Sequence, residues 1–199
     1  MLRKEEDFAA LERVLLQAHE REPLPILAWC LMDNHWHFVV KPTKEGQMSR
    51  FFRWLTLTHA MRWRVAHRSV GAGHLDRGRF KAFPVQTGGH LLEVLRYVER
   101  NALSAEVVER AQDWRWGSLW ARRNGSAQLK AILSDWPIAR PANWVRLVNG
   151  PMMNQEAEGI RTCIARNRPF GSEAWQNEQA MRLGLLHTLR GEGRPKAIR

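Results

Sequence analysis

Residues 24–40, which read LPILAWCLMDNHWHFVV, decide the fold of this chain. The first part, residues 24–32, is apolar almost throughout, and residues 36–40 are apolar and rich in strand-forming types. Asp33 and Asn34 stand between these two runs, and both residue types are frequent in tight turns. The pattern predicts a β-hairpin.

Patterns typical of helices flank the hairpin on both sides. Apolar side chains return every three or four residues over 5–20 and over 47–68, and a shorter helix is predicted over 90–101. Residues 79–86 alternate well enough for a further strand, with Pro84 indicating an edge or an end. The resulting order of helix, strand, strand, helix, strand and helix predicts an α+β fold.

The long helix predicted over 47–68 has two distinct faces. One face is expected to be turned to the core and carries Phe51, Leu55, Thr58, Val65 and Ala66. On another side, within an arc of roughly 60°, lie Arg50, Arg53, Arg64 and Arg68. This helix would therefore carry a basic stripe beside its core face.

The chain has an excess of positive charge. It has 199 residues, with 31 Lys and Arg against 20 Asp and Glu, so its formal net charge is +11. Hydrophobic residues make up 44% of it, which is enough for a folded domain and argues against intrinsic disorder. A basic domain of this kind favours a polyanion as partner, with nucleic acid as the first candidate.

Membrane insertion and cysteine chemistry are both disfavoured. The longest apolar run, residues 24–32, is far shorter than the ~20 residues that span a bilayer, and the N-terminus has no apolar signal core. A cytoplasmic protein without a membrane partner is therefore expected. Cys30 and Cys163 have no paired spacing, which excludes a disulfide framework and a cysteine-based zinc site. Any metal ion must then bind His, carboxylate or amide groups.

Two histidines in the predicted hairpin are candidate metal ligands. His35 and His37 flank Trp36, and side chains alternate along a strand, so both imidazoles should project from one face. Trp36, Phe38 and Val40 would project from the other face towards the core. This arrangement fits a metal site, and it also fits two ordinary surface histidines.

Tyr97, the only tyrosine in the chain, lies in the predicted helix over 90–101. Asn101 follows one turn later, so a hydroxyl nucleophile and an amide ligand would share one face. Two histidines and an asparagine suit a divalent ion with open positions, and a nearby cation favours the phenolate form of tyrosine. This set could transfer a phosphodiester to tyrosine, and the alternative is a half-buried tyrosine with its hydroxyl at the rim. His90 and Glu93 share the helix face of Tyr97, and they are candidates for orienting the metal ligands without binding the ion themselves.

The hairpin sequence resembles a known motif. Residues 31–40, LMDNHWHFVV, look like the HUH signature of single-tyrosine transposases, and more narrowly that of the REP-associated tyrosine transposases. The similarity continues, in the family's order, through GHL at 73–75, GRFK at 78–81, LRYVERN at 95–101 and WRWGS at 114–118. It covers most of residues 5–120.

The resemblance implies a ferredoxin-like antiparallel sheet with helices packed on it. It implies an HUH nuclease domain over 1–120 and a C-terminal helical extension with a basic tail over 121–199, a candidate DNA contact. The family's fold begins with a strand, but only residues 1–4 precede the first helix here. That strand is expected to be absent or truncated, through a start codon further upstream, a truncated copy or a sheet completed by a partner. The chain also has Asp33 and Ala102 where the family usually has Pro.

The same resemblance implies a metal-dependent enzyme that nicks and rejoins single-stranded DNA. His35, His37 and Asn101 would bind Mg²⁺ or Mn²⁺, and Tyr97 would attack a DNA phosphate to leave a 5′-phosphotyrosine and a free 3′-hydroxyl. Its substrate would lie beside a hairpin of repetitive extragenic palindromes, in the nucleoid, and whether it acts as monomer or homodimer stays open. Contacts to DNA are expected from Arg50, Arg53, Arg64, Arg68, Arg79, Lys81 and Arg194.

Two other functions fit the same residues. A catalytically impaired DNA-binding protein would hold palindromic repeat DNA with the basic stripe and the C-terminal helices, without cutting it. A small metal-dependent phosphohydrolase working through water would use His35 and His37 but give Tyr97 no role.

Overall fold

The computed structural model of the chain describes residues 2, 4–67 and 80–190. Within these ranges two strands, β1 (Ile26–Leu31) and β2 (Trp36–Val40), form an antiparallel pair. The helices there are α1 (Glu5–Arg21), α2 (Gln47–Ala66), α3 (Gly89–Ser104), α4 (Ser118–Asn124), α5 (Ala127–Ala131), α6 (Trp144–Asn149), α7 (Asn154–Arg166) and α8 (Glu173–Arg182), with 3₁₀ turns at Ala111–Asp113 and Leu186–Leu189. The predicted α+β class with C-terminal helices is confirmed. No helix in the described ranges is long and apolar enough to cross a membrane.

The strand predicted over 79–86 does not form in the described part of that range. Val85 makes only an isolated parallel bridge with Phe170. Pro84 has no N–H to donate, so a regular ladder cannot continue through it. The prediction is wrong because this segment pairs with a loop at one point and not with a neighbouring strand.

The chain divides into two compact units. The first contains residues 1–80 and 94–151, and the second contains residues 81–93 and 152–199. α3 begins in the second unit and continues into the first. The predicted domain boundary at residue 120 followed the family resemblance, and it stays a prediction.

β1 lies in the core of the first unit, and all six of its residues are buried. A strand that is buried on both faces is expected to be apolar at nearly every position, as residues 26–31 are. Its antiparallel partner β2 places His37 opposite Cys30. The predicted hairpin, with its turn at residues 33–34, is confirmed.

Segments from further along the chain close the edge of β1 that faces away from β2. The N–H of Leu31 donates to the carbonyl of Trp116 at 3.0 Å, and the N–H of Ser134 donates to the carbonyl of Ile26 at 2.8 Å. A buried strand edge needs such partners because unpaired backbone groups in the core are costly. Backbone groups of these loops therefore pair with β1 as a third strand would.

Side chains complete the same edge. The carbonyl of Leu27 accepts hydrogen bonds from Arg122 Nη2 at 2.8 Å and from Trp136 Nε1 at 2.9 Å. The carbonyl of Leu31 accepts one from Trp114 Nε1 at 2.9 Å. Residues well beyond the hairpin therefore hold β1 in place.

Leu2 contacts the end of the hairpin ahead of α1. Its N–H donates to the carbonyl of Asp33 at 2.7 Å, and its side chain is buried in the core cluster. Among the described residues, Leu2 occupies the position in the chain, ahead of α1, at which the resemblance places a first strand.

The helices α1 and α2 contribute apolar faces to the core of the first unit. Leu11 and Leu15 of α1, Phe51 and Leu55 of α2, and Trp29 of β1 are buried in one cluster. The spacing of four positions within each helix puts these side chains on one face. Partly buried side chains that pack against the cluster include Trp36, Phe38 and Val40, as predicted.

The predicted core face of α2 extends only to the middle of the helix. Thr58 is its last buried position, and Val65 is 71% exposed. Beyond Thr58 the helix contacts α1 through polar groups, since Arg62 Nη1 donates to Gln17 Oε1 at 2.7 Å. The expectation that Val65 and Ala66 face the core is therefore wrong.

The second unit contains α7 and α8 with the loop 167–171 between them. Asn167 adopts the left-handed conformation, with φ of 56°, that ends α7. Ser172 caps α8 by accepting a hydrogen bond from the N–H of Trp175 at 3.4 Å. Both helices belong to the C-terminal helices that the sequence analysis expected.

Phe51→Ala should strongly destabilise the protein, because Phe51 is fully buried and its truncation leaves a cavity. We expect the free energy of unfolding to fall by about 3–5 kcal/mol. Urea denaturation followed by circular dichroism measures this change. Leu57→Ala is the matched control, since Leu57 is in the same helix but 54% exposed. It should cost less than about 0.5 kcal/mol, and equal losses in the two variants would contradict the assigned core.

Candidate active site

The hairpin of β1 and β2 places two histidines side by side. His37 lies in β2, and His35 directly precedes the first residue of that strand. The carbonyl of His35 accepts a hydrogen bond from the N–H of Met32 at 2.8 Å. The two ring centroids are 4.9 Å apart, with the planes inclined at 75°. Residues two positions apart on an extended chain point to the same side, so the proximity follows from the local backbone.

The helix α3 brings a tyrosine and an asparagine to these histidines. Tyr97 and Asn101 lie one turn apart and share a face of α3. The ring centroids of Tyr97 and His37 are 5.7 Å apart, and Asn101 Oδ1 lies 3.3 Å from His35 Nε2. The structure thus brings together the four residues that the sequence singled out, from segments 66 positions apart.

Asn34 contacts the His35 ring. Its Oδ1 lies 2.6 Å from His35 Nδ1, and this contact is a hydrogen bond in the tautomer that carries a proton on Nδ1. In that tautomer of the neutral ring, Nε2 is an acceptor, and it faces the Oδ1 of Asn101, which is also an acceptor. These two atoms could then bind a cation between them.

The donor set suits a divalent ion. In the part of the chain that the structure describes, no three His, Cys, Asp or Glu side chains form a metal-binding group. The neutral groups that could bind a metal ion here are His35, His37 and Asn101. Adjacent ligands of a six-coordinate ion at ~2.1 Å lie about 3 Å apart. The 3.3 Å between His35 Nε2 and Asn101 Oδ1 is close to that separation.

His37 is uncharged at neutral pH. Burial is the main cause that lowers the pKa of its imidazole to about 4, and the neighbouring His35 contributes in the same direction. A neutral imidazole can bind a metal ion without first losing a proton. The protonation state of His37 therefore fits the role of a ligand.

Glu99 anchors α3 on the side away from Tyr97. Its buried carboxylate accepts hydrogen bonds from Ser118 Oγ at 2.7 Å and from Trp144 Nε1 at 2.6 Å. Burial raises the pKa of Glu99, and these two donors act against that shift. Glu99 lies about 200° around the helix from Tyr97, so its bonds hold the face with Tyr97 and Asn101 towards the hairpin.

Glu99 was not among the residues singled out from the sequence. It stands among the apolar positions Leu95, Val98 and Ala102, all of which are buried. A carboxylate on an apolar helix face is a signal of a buried acid with dedicated partners. That signal was present in the sequence, but the identity of the partners was not.

The arginines on either side of Tyr97 are held by the protein itself. Arg96 Nε donates to the carbonyl of Leu147 at 2.8 Å, and Arg100 Nη1 donates to the carbonyl of Val148 at 2.9 Å. Both acceptors belong to the end of α6, where carbonyls lack partners within the helix. These two arginines therefore help to position α3.

His90 and Glu93 line a cleft in the second unit. Glu156, Gly159 and Phe170 belong to the same cleft, and the His90 ring meets the Phe170 ring edge-on at 5.5 Å. The role expected of His90 and Glu93 in orienting the ligands stays a prediction.

The residues expected to contact DNA have different surroundings. Arg50 forms an ion pair with Glu22 at 2.7 Å, whereas Arg53 is exposed and Arg64 is half-buried. Lys81 is exposed in the second unit. Three further members of the set lie outside the described residues, namely Arg68, Arg79 and Arg194. DNA contact by any of these side chains stays a prediction.

Trp144→Phe should destabilise the protein because it removes an N–H that bonds the buried Glu99 carboxylate. We expect the free energy of unfolding to fall by about 1–3 kcal/mol more than in Trp54→Phe. Trp54 is partly buried against the core, and the control makes the same substitution without touching Glu99. Urea denaturation at neutral pH gives both values. Similar losses in the two variants would show that the bond to Glu99 contributes nothing.

Comparison with known proteins finds a matching family model. The sequence model of a family described as "Transposase IS200 like" matches residues 1–101, which is just over half of the 199 residues. The match includes all four residues of the candidate site. None of the curated proteins and none of the solved structures gives a match. The chain belongs to the IS200-like transposase family, and the family implies DNA as its partner.

Proposed function

We propose that the protein cuts and rejoins single-stranded DNA with Tyr97 as nucleophile and a divalent metal ion as cofactor. The observation that carries the proposal is the convergence of α3 and the hairpin. Asn101 Oδ1 lies 3.3 Å from His35 Nε2, and the Tyr97 ring lies 5.7 Å from the His37 ring. A nucleophile and three neutral ligands within one small region match the needs of phosphodiester transfer.

Tyr97 forms a covalent link to DNA in this proposal. Its phenolate oxygen attacks a DNA phosphorus and forms a new P–O bond. The bond from that phosphorus to the 3′-oxygen of the preceding nucleotide breaks, and the oxygen takes up a proton to become a 3′-hydroxyl. One phosphodiester replaces another, so a 3′-hydroxyl that later attacks the 5′-phosphotyrosine can restore continuous DNA without ATP.

The ligands of the metal ion are His35, His37 and Asn101, and Mg²⁺ or Mn²⁺ suits them. The bound ion would polarise the phosphate and favour the phenolate form of Tyr97. In the tautomer of His35 whose Nδ1–H bonds Asn34 Oδ1, the Nε2 lone pair is available for the ion. Because the ligands carry no charge, they do not neutralise the ion, and its full positive charge would act on the phosphate.

We further propose a substrate with a hairpin formed by repetitive extragenic palindromes, and a location in the cytoplasm at the nucleoid. The motif in residues 31–40 and the segment 95–101 support this narrower assignment through their similarity to the REP-associated tyrosine transposases. The net charge of +11 supports a polyanionic partner. A protein that only bound such DNA would have no use for the convergence of Tyr97 with the three ligands.

Tyr97→Phe should abolish covalent attachment to DNA, because it removes the only phenol of the chain. A single-stranded DNA hairpin with native flanks is incubated with protein and Mn²⁺ and run on a denaturing gel. With the wild type, a 3′-label should shift with the protein, and a 5′-label should give a shortened strand that a polymerase can extend. Both products should be lost in the variant. Cleavage that persists in Tyr97→Phe would instead support hydrolysis by water.

His35→Ala should abolish stabilisation by Mn²⁺, because it removes one of three ligands. The readout is the thermal unfolding midpoint with and without Mn²⁺, which does not depend on activity. His187→Ala is the matched control, since His187 is an exposed histidine in the second unit. The wild type and the control should share the same rise, and the proposed site would be wrong if His35→Ala kept it.

A further inference from the structure

Part of the chain that follows the matched residues 1–101 forms a cationic cleft in the first unit. The cleft has a volume of about 280 Å³ and is lined by Arg122, Lys130, Leu133 and Arg140. Three of these four side chains carry a positive charge at neutral pH. None of them was named individually among the residues expected to contact DNA, although all four lie in the extension 121–199, and none belongs to the candidate active site.

Trp136 supports two of these cations. The guanidinium carbon of Arg122 lies 5.7 Å from the ring centroid, and that of Arg140 lies 5.2 Å from it. The ring is itself held by its N–H bond to the carbonyl of Leu27 and by an edge-on contact with Trp144 at 4.9 Å. Cation–π attraction therefore keeps the two guanidinium groups near one another despite their mutual repulsion.

Arg122 is only partly satisfied by the protein. Its Nη2 donates to the carbonyls of Leu27 at 2.8 Å and Ser134 at 3.4 Å, but its Nε is buried without a hydrogen-bond partner. The carboxylates that attract it are Glu99 and Asp135, and Glu99 already accepts its hydrogen bonds from other donors. A buried donor without an acceptor is costly, so Arg122 keeps hydrogen-bonding capacity that the protein itself does not use.

We propose that this cleft is a phosphate-binding site at which Arg122, Lys130 and Arg140 hold a backbone phosphate of bound DNA. Guanidinium and ammonium groups are well suited to phosphate oxygens, arginine through its planar fork and lysine as a point charge. The inference rests on DNA as the partner, as in the proposed function. The cleft and Tyr97 lie in the same compact unit, so this contact anchors the strand at a second point while Tyr97 acts on it.

The test compares two doubly substituted proteins that lose the same charge. The first is Lys130→Gln with Arg140→Gln, since both side chains are exposed and line the cleft. Arg122 is left intact because it also bonds the backbone of β1. The control is Arg13→Gln with Arg123→Gln, two exposed arginines of the first unit that do not line the cleft. Circular dichroism melting checks that both proteins are folded.

DNA binding is measured in a Tyr97→Phe background, so that no covalent product forms. The probe is a fluorescein-labelled hairpin with a single-stranded flank, titrated from about 50 to about 200 mM NaCl. Substitution of the cleft should weaken binding by about tenfold and reduce the slope of log K against log salt by about 0.7 for each lost phosphate contact. The control should change the slope by less than about half of that amount.

A second arm uses inorganic phosphate alone, at constant ionic strength, with the thermal unfolding midpoint as the readout. If the cleft variant loses stabilisation by phosphate but binds DNA as the control does, the site takes a free phosphate-type anion instead of the DNA backbone. If the wild type binds no DNA, the proposed function is wrong. The phosphate measurement then still tests whether the cleft binds an anion. The inference is overturned if the cleft variant equals the control in both arms.

Discussion

The first unit depends on the complete burial of β1. A strand buried on both faces must have every backbone N–H and carbonyl paired, because water cannot reach them. β2 pairs with one edge, and the other edge is closed by loops and by the side chains of Trp114, Arg122 and Trp136. Residues beyond 101 therefore supply the partners of one edge of the hairpin, although the match to the family model ends at residue 101.

A second constraint fixes the orientation of α3. Buried Glu99 accepts hydrogen bonds from Ser118 and Trp144, and Arg96 and Arg100 bond to carbonyls around the end of α6. Glu99 lies about 200° around α3 from Tyr97, and together with the arginines it determines which face of the helix is turned to the hairpin. The candidate site thus depends on partners of α3 that take no part in its chemistry.

The same side chains connect stability with the anion-binding properties of the first unit. Arg122 and Trp136 bond the carbonyl of Leu27, Arg122 also lines the cationic cleft, and the Trp136 ring contacts its guanidinium group. An arginine held in this way loses little conformational freedom when an anion binds, since its position is already set. A group recruited to complete a buried strand is therefore also pre-organised for recognition of phosphate.

Local patterns in the sequence were enough to predict the hairpin, the helices α1, α2 and α3, and the pairs His35 with His37 and Tyr97 with Asn101. Each of these depends on the periodicity of a strand or a helix, which is a property of neighbouring residues. Only the tertiary structure decided that Asn101 Oδ1 faces His35 Nε2 at 3.3 Å and that Val65 is exposed. It alone also provided the partners of β1 and α3. Such contacts join residues far apart in the chain, and their geometry follows from how the elements pack together.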